Sequence, residues 1–201
     1  MAAQRSDLEN QVRDLVAHVL VGVLDGSTST DDASTPSSTP SSASHDEGAD
    51  RIAIGSDHGG FELKQALSAQ LIDAGWAVED CGTHSTAACD YPEFAHAVAR
   101  RVGTGRCSAG IVVDGAGIGS AMVANKIPRV RAAACYDLST ARNSREHNRA
   151  NVLTLGAGLT GPALAWQIVQ EWLATPWGGD RHLRRVALIS EIEDQYVRTD
   201  A

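Results

Sequence analysis

The chain of 201 residues is long enough for one well-buried domain with a remainder, and its 43% hydrophobic and 21% charged residues suit a globular protein. Aromatic residues make up only 4%, and most of the net charge of −8 falls before Arg51, where nine acidic residues face only Arg5 and Arg13. No basic stripe or aromatic platform suits nucleic acid, no lysine-rich face suits a membrane surface, and no apolar run approaches the roughly 20 residues that cross a bilayer.

Residues 1–25 read as an amphipathic helix. Ser6 and Glu9 stand in capping-box spacing, Gly26 follows the end, and Leu8, Val12, Leu15, Val16, Val19, Val23 and Leu24 recur at three- and four-residue steps. Residues 26–50 are rich in Ser, Thr, Pro and Asp and have almost nothing to bury, which predicts a disordered linker spanning roughly 25–30 Å.

From residue 51 to 201, β-rich runs alternate with helical stretches, the pattern of βαβ units in a doubly wound, Rossmann-like three-layer α/β/α fold with a five-stranded parallel sheet. The strands are expected at 51–55, 77–80, 110–113, 130–136 and 152–156, with helices at 62–74, 93–104, 118–126, 137–148 and 161–174. Ligands of such sheets sit beyond the carboxyl ends of the strands, so chemistry is sought in the strand-to-helix turns. Cys81, Cys89, Cys107 and Cys135 have neither CxxC nor metal-finger spacing, which reads as reduced thiols in an intracellular protein.

The first strand ends in GSDHGGF, where Asp57 and His58 meet backbone amides at a helix start; the plainer alternative is a capping Asp57 and a solvated His58. The third ends in IVVDGAGIGS. Here Gly115, Gly117 and Gly119 let the backbone approach an oxyanion, with Asp114 at the strand end. The same turn resembles a dinucleotide fingerprint, with Asp137 as the ribose carboxylate, but Ser120 stands where the last glycine belongs. Further polar clusters are DYPEFAH, SREHNRAN and GGDRHLRRV, the last with arginines suited to a phosphate.

The blocks GSDHGGFELK, DYPEFAHAVA, GAGIGSAMVANKIPRVRAA, SREHNRANVLTLGA, GPALA and GGDRHLRRV, in this order, resemble the ribose-5-phosphate isomerase B and galactose-6-phosphate isomerase family from Arg51 to about Ile192. That resemblance implies a homodimer or dimer of dimers with active sites shared between subunits, and no metal or organic cofactor. It places Asp57 and His58 on the sugar phosphate and Tyr91 in the pocket wall. His147 would assist ring opening, Asn148 would bind the sugar, and Arg131, Arg181 and Arg185 would hold the phosphate. Amides of Gly115 to Gly119 would meet the enediolate oxygen.

Two departures bear on mechanism. The family commonly reads CGTG where this chain reads DGAG, so Asp114 replaces a cysteine base and Ala116 a threonine. Aspartate at this place is similar to the A subunit of galactose-6-phosphate isomerase. A mycobacterial branch instead uses a glutamate at the place of Ser120, which has no comparable basicity.

The expected activity is aldose–ketose isomerisation of a phosphorylated sugar through an enediolate, with ribose 5-phosphate and ribulose 5-phosphate as the first choice and Asp114 as base. The competing reading is a sugar-phosphate-binding protein, or the partner subunit of a hetero-oligomeric isomerase. The helix and linker are similar to encapsulation peptides, which implies a cytoplasmic enzyme inside a bacterial microcompartment, with residues 1–25 contacting shell or cargo proteins.

Overall fold

Short runs of aliphatic and small residues form five strands: β1 (Arg51–Ser56), β2 (Ala77–Asp80), β3 (Ala109–Asp114), β4 (Ala132–Ala134) and β5 (Val152–Gly156). In the computed structural model, which describes residues 51–197, they pair in parallel in the order β2-β1-β3-β5-β4. The helix expected over residues 1–25 and the linker over residues 26–50 lie outside the described residues. Six helices connect or follow the strands: α1 (Phe61–Asp73), α2 (Tyr91–Gly103), α3 (Ile118–Ala124), α4 (Leu138–Asn148), α5 (Pro162–Ala174) and α6 (Asp180–Tyr196). The doubly wound α/β sheet expected from the sequence is the fold observed.

Alternation along the strands builds two cores. Ile52, Ile54, Ile111, Val113, Leu153 and Leu155 face α1, α4 and α5, where Leu67, Ile168 and Trp172 are fully buried. On the other face Ala53, Val112 and Val152 meet Ala95, Val98 and Val102 of α2. The sheet is thinner there by design of its residues: a Cβ on Gly55 or Gly110 would lie 2.8 or 2.7 Å from a Val98 methyl. Glycine at both places lets α2 approach the backbone itself.

Most boundaries shift by one or two residues from expectation, and the largest change has local reasons. The fourth strand shrinks to three residues. At its start Val130 closes a turn on the Ile127 carbonyl, with Arg129 left-handed at φ +66°. At its end the Tyr136 and Asp137 amides are drawn onto Thr140 Oγ1 by the capping box of α4. The sixth helix, α6, was absent from the five expected. It follows no strand, and among its described residues only His182 and Val186 are buried.

At the outer edge Glu79 of β2 ties three segments together. Its carboxylate accepts from Arg101 of α2 and from Arg106 Nε at 2.9 Å, with Arg51 Nη1 at 4.0 Å. Burial pushes this carboxyl group up, but the bonds and charges of Arg101 and Arg106 together outweigh it and leave Glu79 below its ordinary value of 4.5. A depressed carboxylate stabilises the fold above the unfolded value and ceases to do so as pH falls through the folded one. Urea midpoints of the native protein and Glu79→Gln should therefore differ most above pH 5 and converge toward pH 3.

Candidate active site

From β1 the chain crosses to β2 on one side, whereas β3 and everything after it lie on the other, so the carboxyl ends of β1 and β3 flank a topological switch point. Register sets what meets there. Ser56 is paired with Val113, and the Asp57 amide donates to the Val113 carbonyl at 3.3 Å, so Asp57 and Asp114 emerge side by side. Asp57 Oδ1 accepts the Gly60 amide at 2.9 Å, which shapes the turn. The exposed His58 ring rests with Nδ1 3.2 Å from both the amide and the carbonyl of Cys89, one or the other bonded according to tautomer. Tyr91, exposed at the start of α2, lies across Gly119, where an added Cβ would stand 2.6 Å from its ring.

The β3–α3 turn closes on itself. Asp114, 5% exposed, accepts the amides of Ala116 at 2.8 Å and Gly117 through Oδ1, and the amide of Ser120 at 3.1 Å and its hydroxyl through Oδ2. Gly117 is left-handed at φ +79°, and its carbonyl accepts from Thr154 Oγ1 at 2.7 Å. A Cβ at Gly117 would sit 2.9 Å from the Leu155 carbonyl carbon, so both conformation and space require glycine. The carboxyl group is thus aimed into its own turn, with donors on both oxygens.

A second cluster gathers where α4 ends. Arg131, just before β4, donates from Nε to the carbonyls of Asn148 at 3.1 Å and Arg149 at 3.0 Å. Burial, then the neighbouring Arg149 charge, lowers its pKa from the ordinary arginine value, yet a guanidinium stays protonated in proteins. It is a partly desolvated cation held by carbonyls. His147 stacks on His182 with ring centroids 4.3 Å apart, and its Nδ1 lies 3.0 Å from Asn143 Nδ2. Arg181 of α6 donates to His182 Nε2 at 2.6 Å and to Glu146 at 3.3 Å. Burial foremost, then the charges of His147, Arg181 and Arg185, pushes the His182 imidazole below 6.5, with Glu146 opposing. Arg185 is exposed on the same helix and makes no ion pair among the described residues.

Strand polarity separates the two clusters. Asp57, His58, Tyr91, Asp114 and Gly115 to Gly119 follow strands or begin helices, so they lie at the carboxyl edge of the sheet. Arg131 and Asn148 precede β4 and β5 and lie at the amino edge, with His147, Arg181 and Arg185. Six-residue strands separate these edges by roughly 17–20 Å. Sequence reasoning named the members of both groups but passed over His182, whose stacking on His147 depends on how α6 meets α4, and Cys89, which meets His58 from 31 residues away.

A sheet of this topology, with carboxylates and an imidazole at its switch point and arginines and histidines gathered at its amino edge, defines a doubly wound α/β protein. The chain belongs to the ribose/galactose isomerase family, whose model matches residues 52–189. It is 41% identical over 145 residues to ribose-5-phosphate isomerase B of Escherichia coli, covering 72% of this chain and 97% of the relative. A protein of the same name from Mycolicibacterium paratuberculosis is also 41% identical, over 71% of this chain and 91% of its own. The structure of ribose-5-phosphate isomerase B from Clostridium thermocellum superposes with a TM-score of 0.72 at 47% identity, covering 73% of this chain and 99% of that one. The Mycoplasma genitalium enzyme, solved with bound ribulose-5-phosphate, gives 0.70 at 36% identity, over 72% and 97% of the two chains.

Proposed function

We propose that this protein isomerises a phosphorylated aldose and ketose, ribose 5-phosphate and ribulose 5-phosphate first among them, in sites each made by two copies of the chain. The division of acid–base groups and cations between opposite edges of one sheet carries the reading. A phosphosugar is about 10 Å long, so one chain cannot offer it both groups, whereas a second copy turned end for end can. The exposed apolar residues of α6, among them Leu183, Ile189 and Ile192, give such a copy something to bury.

In this site Arg131, Arg181 and Arg185 of one copy hold the phosphate, His147 opens the sugar ring and Asn148 binds its hydroxyls. Asp57, His58 and Tyr91 of the other line the reacting end. A base takes the proton from C2 of the aldose and returns it to C1, while a proton passes between the two oxygens. The hydrogens stay within the substrate pair, so the conversion is redox-neutral and uses no electron carrier. The amides of Ile118 and Gly119, first-turn donors without an acceptor inside α3, are the turn's free partners for the enediolate oxygen.

Two roles compete for Asp114. As base it must release at least one oxygen from the turn when the substrate closes over it. The four donors it already accepts favour the second role, a brace that shapes the turn while another group moves the proton. Asp114→Asn and Asp114→Cys separate them, assayed by proton NMR in heavy water with phosphorylated tetroses, pentoses and hexoses. As base, Asp114→Cys retains measurable turnover while Asp114→Asn loses about 10²–10⁴ in rate. As brace, both fall alike and the Gly117 amide loses its exchange protection. No turnover or exchange by the native chain alone would favour a binding protein or a hetero-oligomer subunit.

Sharing of the site has its own test. A His147→Ala chain and an Asp57→Asn chain, each inactive alone, should regain activity when co-expressed, because mixed dimers contain one intact site. Failure to recover activity in purified mixed dimers would sink the shared site.

Residues 1–25 act in this reading as an encapsulation peptide tethered by residues 26–50, which delivers the cytoplasmic enzyme into a microcompartment. A fluorescent protein carrying residues 1–50 should co-purify with shells in shell-forming cells. A signal that stays diffuse there would refute targeting.

A further inference from the structure

Lys64 of α1 is fully buried, which lysine seldom is, and it is unused by the chemistry above. Its ammonium lies 2.7 Å from each oxygen of Asp80 and 2.7 Å from the Thr83 carbonyl, with the Phe61 ring 5.6 Å away. Asp80 Oδ1 also accepts the Gly82 amide at 2.8 Å. All three donors of the ammonium therefore point at the segment leaving β2.

Stability alone gives no reason for this pair, since replacing a buried ion pair with apolar residues of similar volume is often neutral or stabilising. What apolar residues cannot do is fix oxygen atoms in place. The segment beyond β2 is sewn to β1 at one end only: Gly82 accepts from the Ser56 amide and Thr83 donates to the Ser56 carbonyl, both at 2.7 Å. Residues 84–88 are exposed, and the segment next meets the site where Cys89 contacts the His58 ring, two residues before Tyr91 covers Gly119.

We propose that Lys64 is a positioning residue: by clamping Asp80 and the Thr83 carbonyl it sets the height of residues 81–90, and through them the orientation of His58 and the seat of Tyr91. It touches neither ring. The clamp joins α1, which begins three residues after His58, to the far end of the same mouth, so the two walls of the switch-point crevice are held at a fixed spacing from below. This rests on the proposed isomerisation only where turnover is the readout; the placement of His58 is independent of it.

The test uses the full-length chain carrying Lys64→Met with Asp80→Leu, which removes both charges and leaves no buried ion unpaired. Asp80→Asn is the milder companion, retaining the Lys64 bond to Thr83. Imidazole nitrogen NMR of His58 and amide exchange are read on the folded proteins. The expected result is at least tenfold faster exchange at Thr83 and Cys89, less than threefold change at Ile111 and Leu153, and a shifted or broadened His58 signal. Asp80→Asn should move the same signals in the same direction by a smaller amount. Where the native chain turns over a phosphosugar, KM should rise at least fivefold in the double variant. Unchanged His58 and Cys89 signals in a folded double variant would overturn the proposal. If that variant does not fold, unchanged signals in Asp80→Asn would do so. A native chain without turnover would count against the reaction and leave the NMR result to decide the role of Lys64.

Discussion

The parallel pairing of β1 with β3, with Ser56 opposite Val113, is the contact on which the carboxyl-edge site depends. It makes Asp57 and Asp114 neighbours although they stand 57 positions apart in the chain. It also brings Gly60 so close to β3 that a Cβ there would fall 2.2 Å from the Val113 carbonyl oxygen. A one-residue slip would turn every strand side chain to the opposite face and exchange the aliphatic core under α1 and α5 for the smaller residues under α2. The two cores hold the register, and the register holds the site.

The β3–α3 turn shows how a replaced residue can change what a loop needs. With aspartate at position 114 the carboxylate gathers three amides and the Ser120 hydroxyl, so those four donors are satisfied within the turn itself. A thiol has neither the reach nor the acceptor strength to do this. The departure at position 114 and the serine at position 120 thus belong together physically, as the two sides of one hydrogen-bonded unit. Along the chain they stand six positions apart and share no local pattern that would pair them.

Much of the fold is legible in the sequence because β1, β3 and β5 are buried on both faces and read as short, mainly apolar runs closed by glycine or a small residue. β4 reads too long, since Val130 and Tyr136 look like strand residues but are claimed by the turn before and the helix cap after. α6 escapes because its apolar positions, Leu183, Leu188, Ile189 and Ile192, are largely exposed, so no inward-facing partner marks it as part of the domain. The site residues are legible by type, and even their partition between edges follows from which precede strands and which follow them. Contacts that depend on three-dimensional convergence, His147 with His182, His58 with Cys89 and Lys64 with Thr83, have no local signature.

The amino-edge rim has one more consequence. Arg131 feels the charge of Arg149 with Glu193 opposing, and the His182 imidazole, stacked on His147, feels Arg181 and Arg185 with Glu146 opposing, so cations outnumber carboxylates at this edge. Under the proposed isomerisation, the phosphate of the substrate would offset that excess as it binds. Binding and folding stability would then be linked through the same charges, the ligand adding to the stability of the fold that receives it.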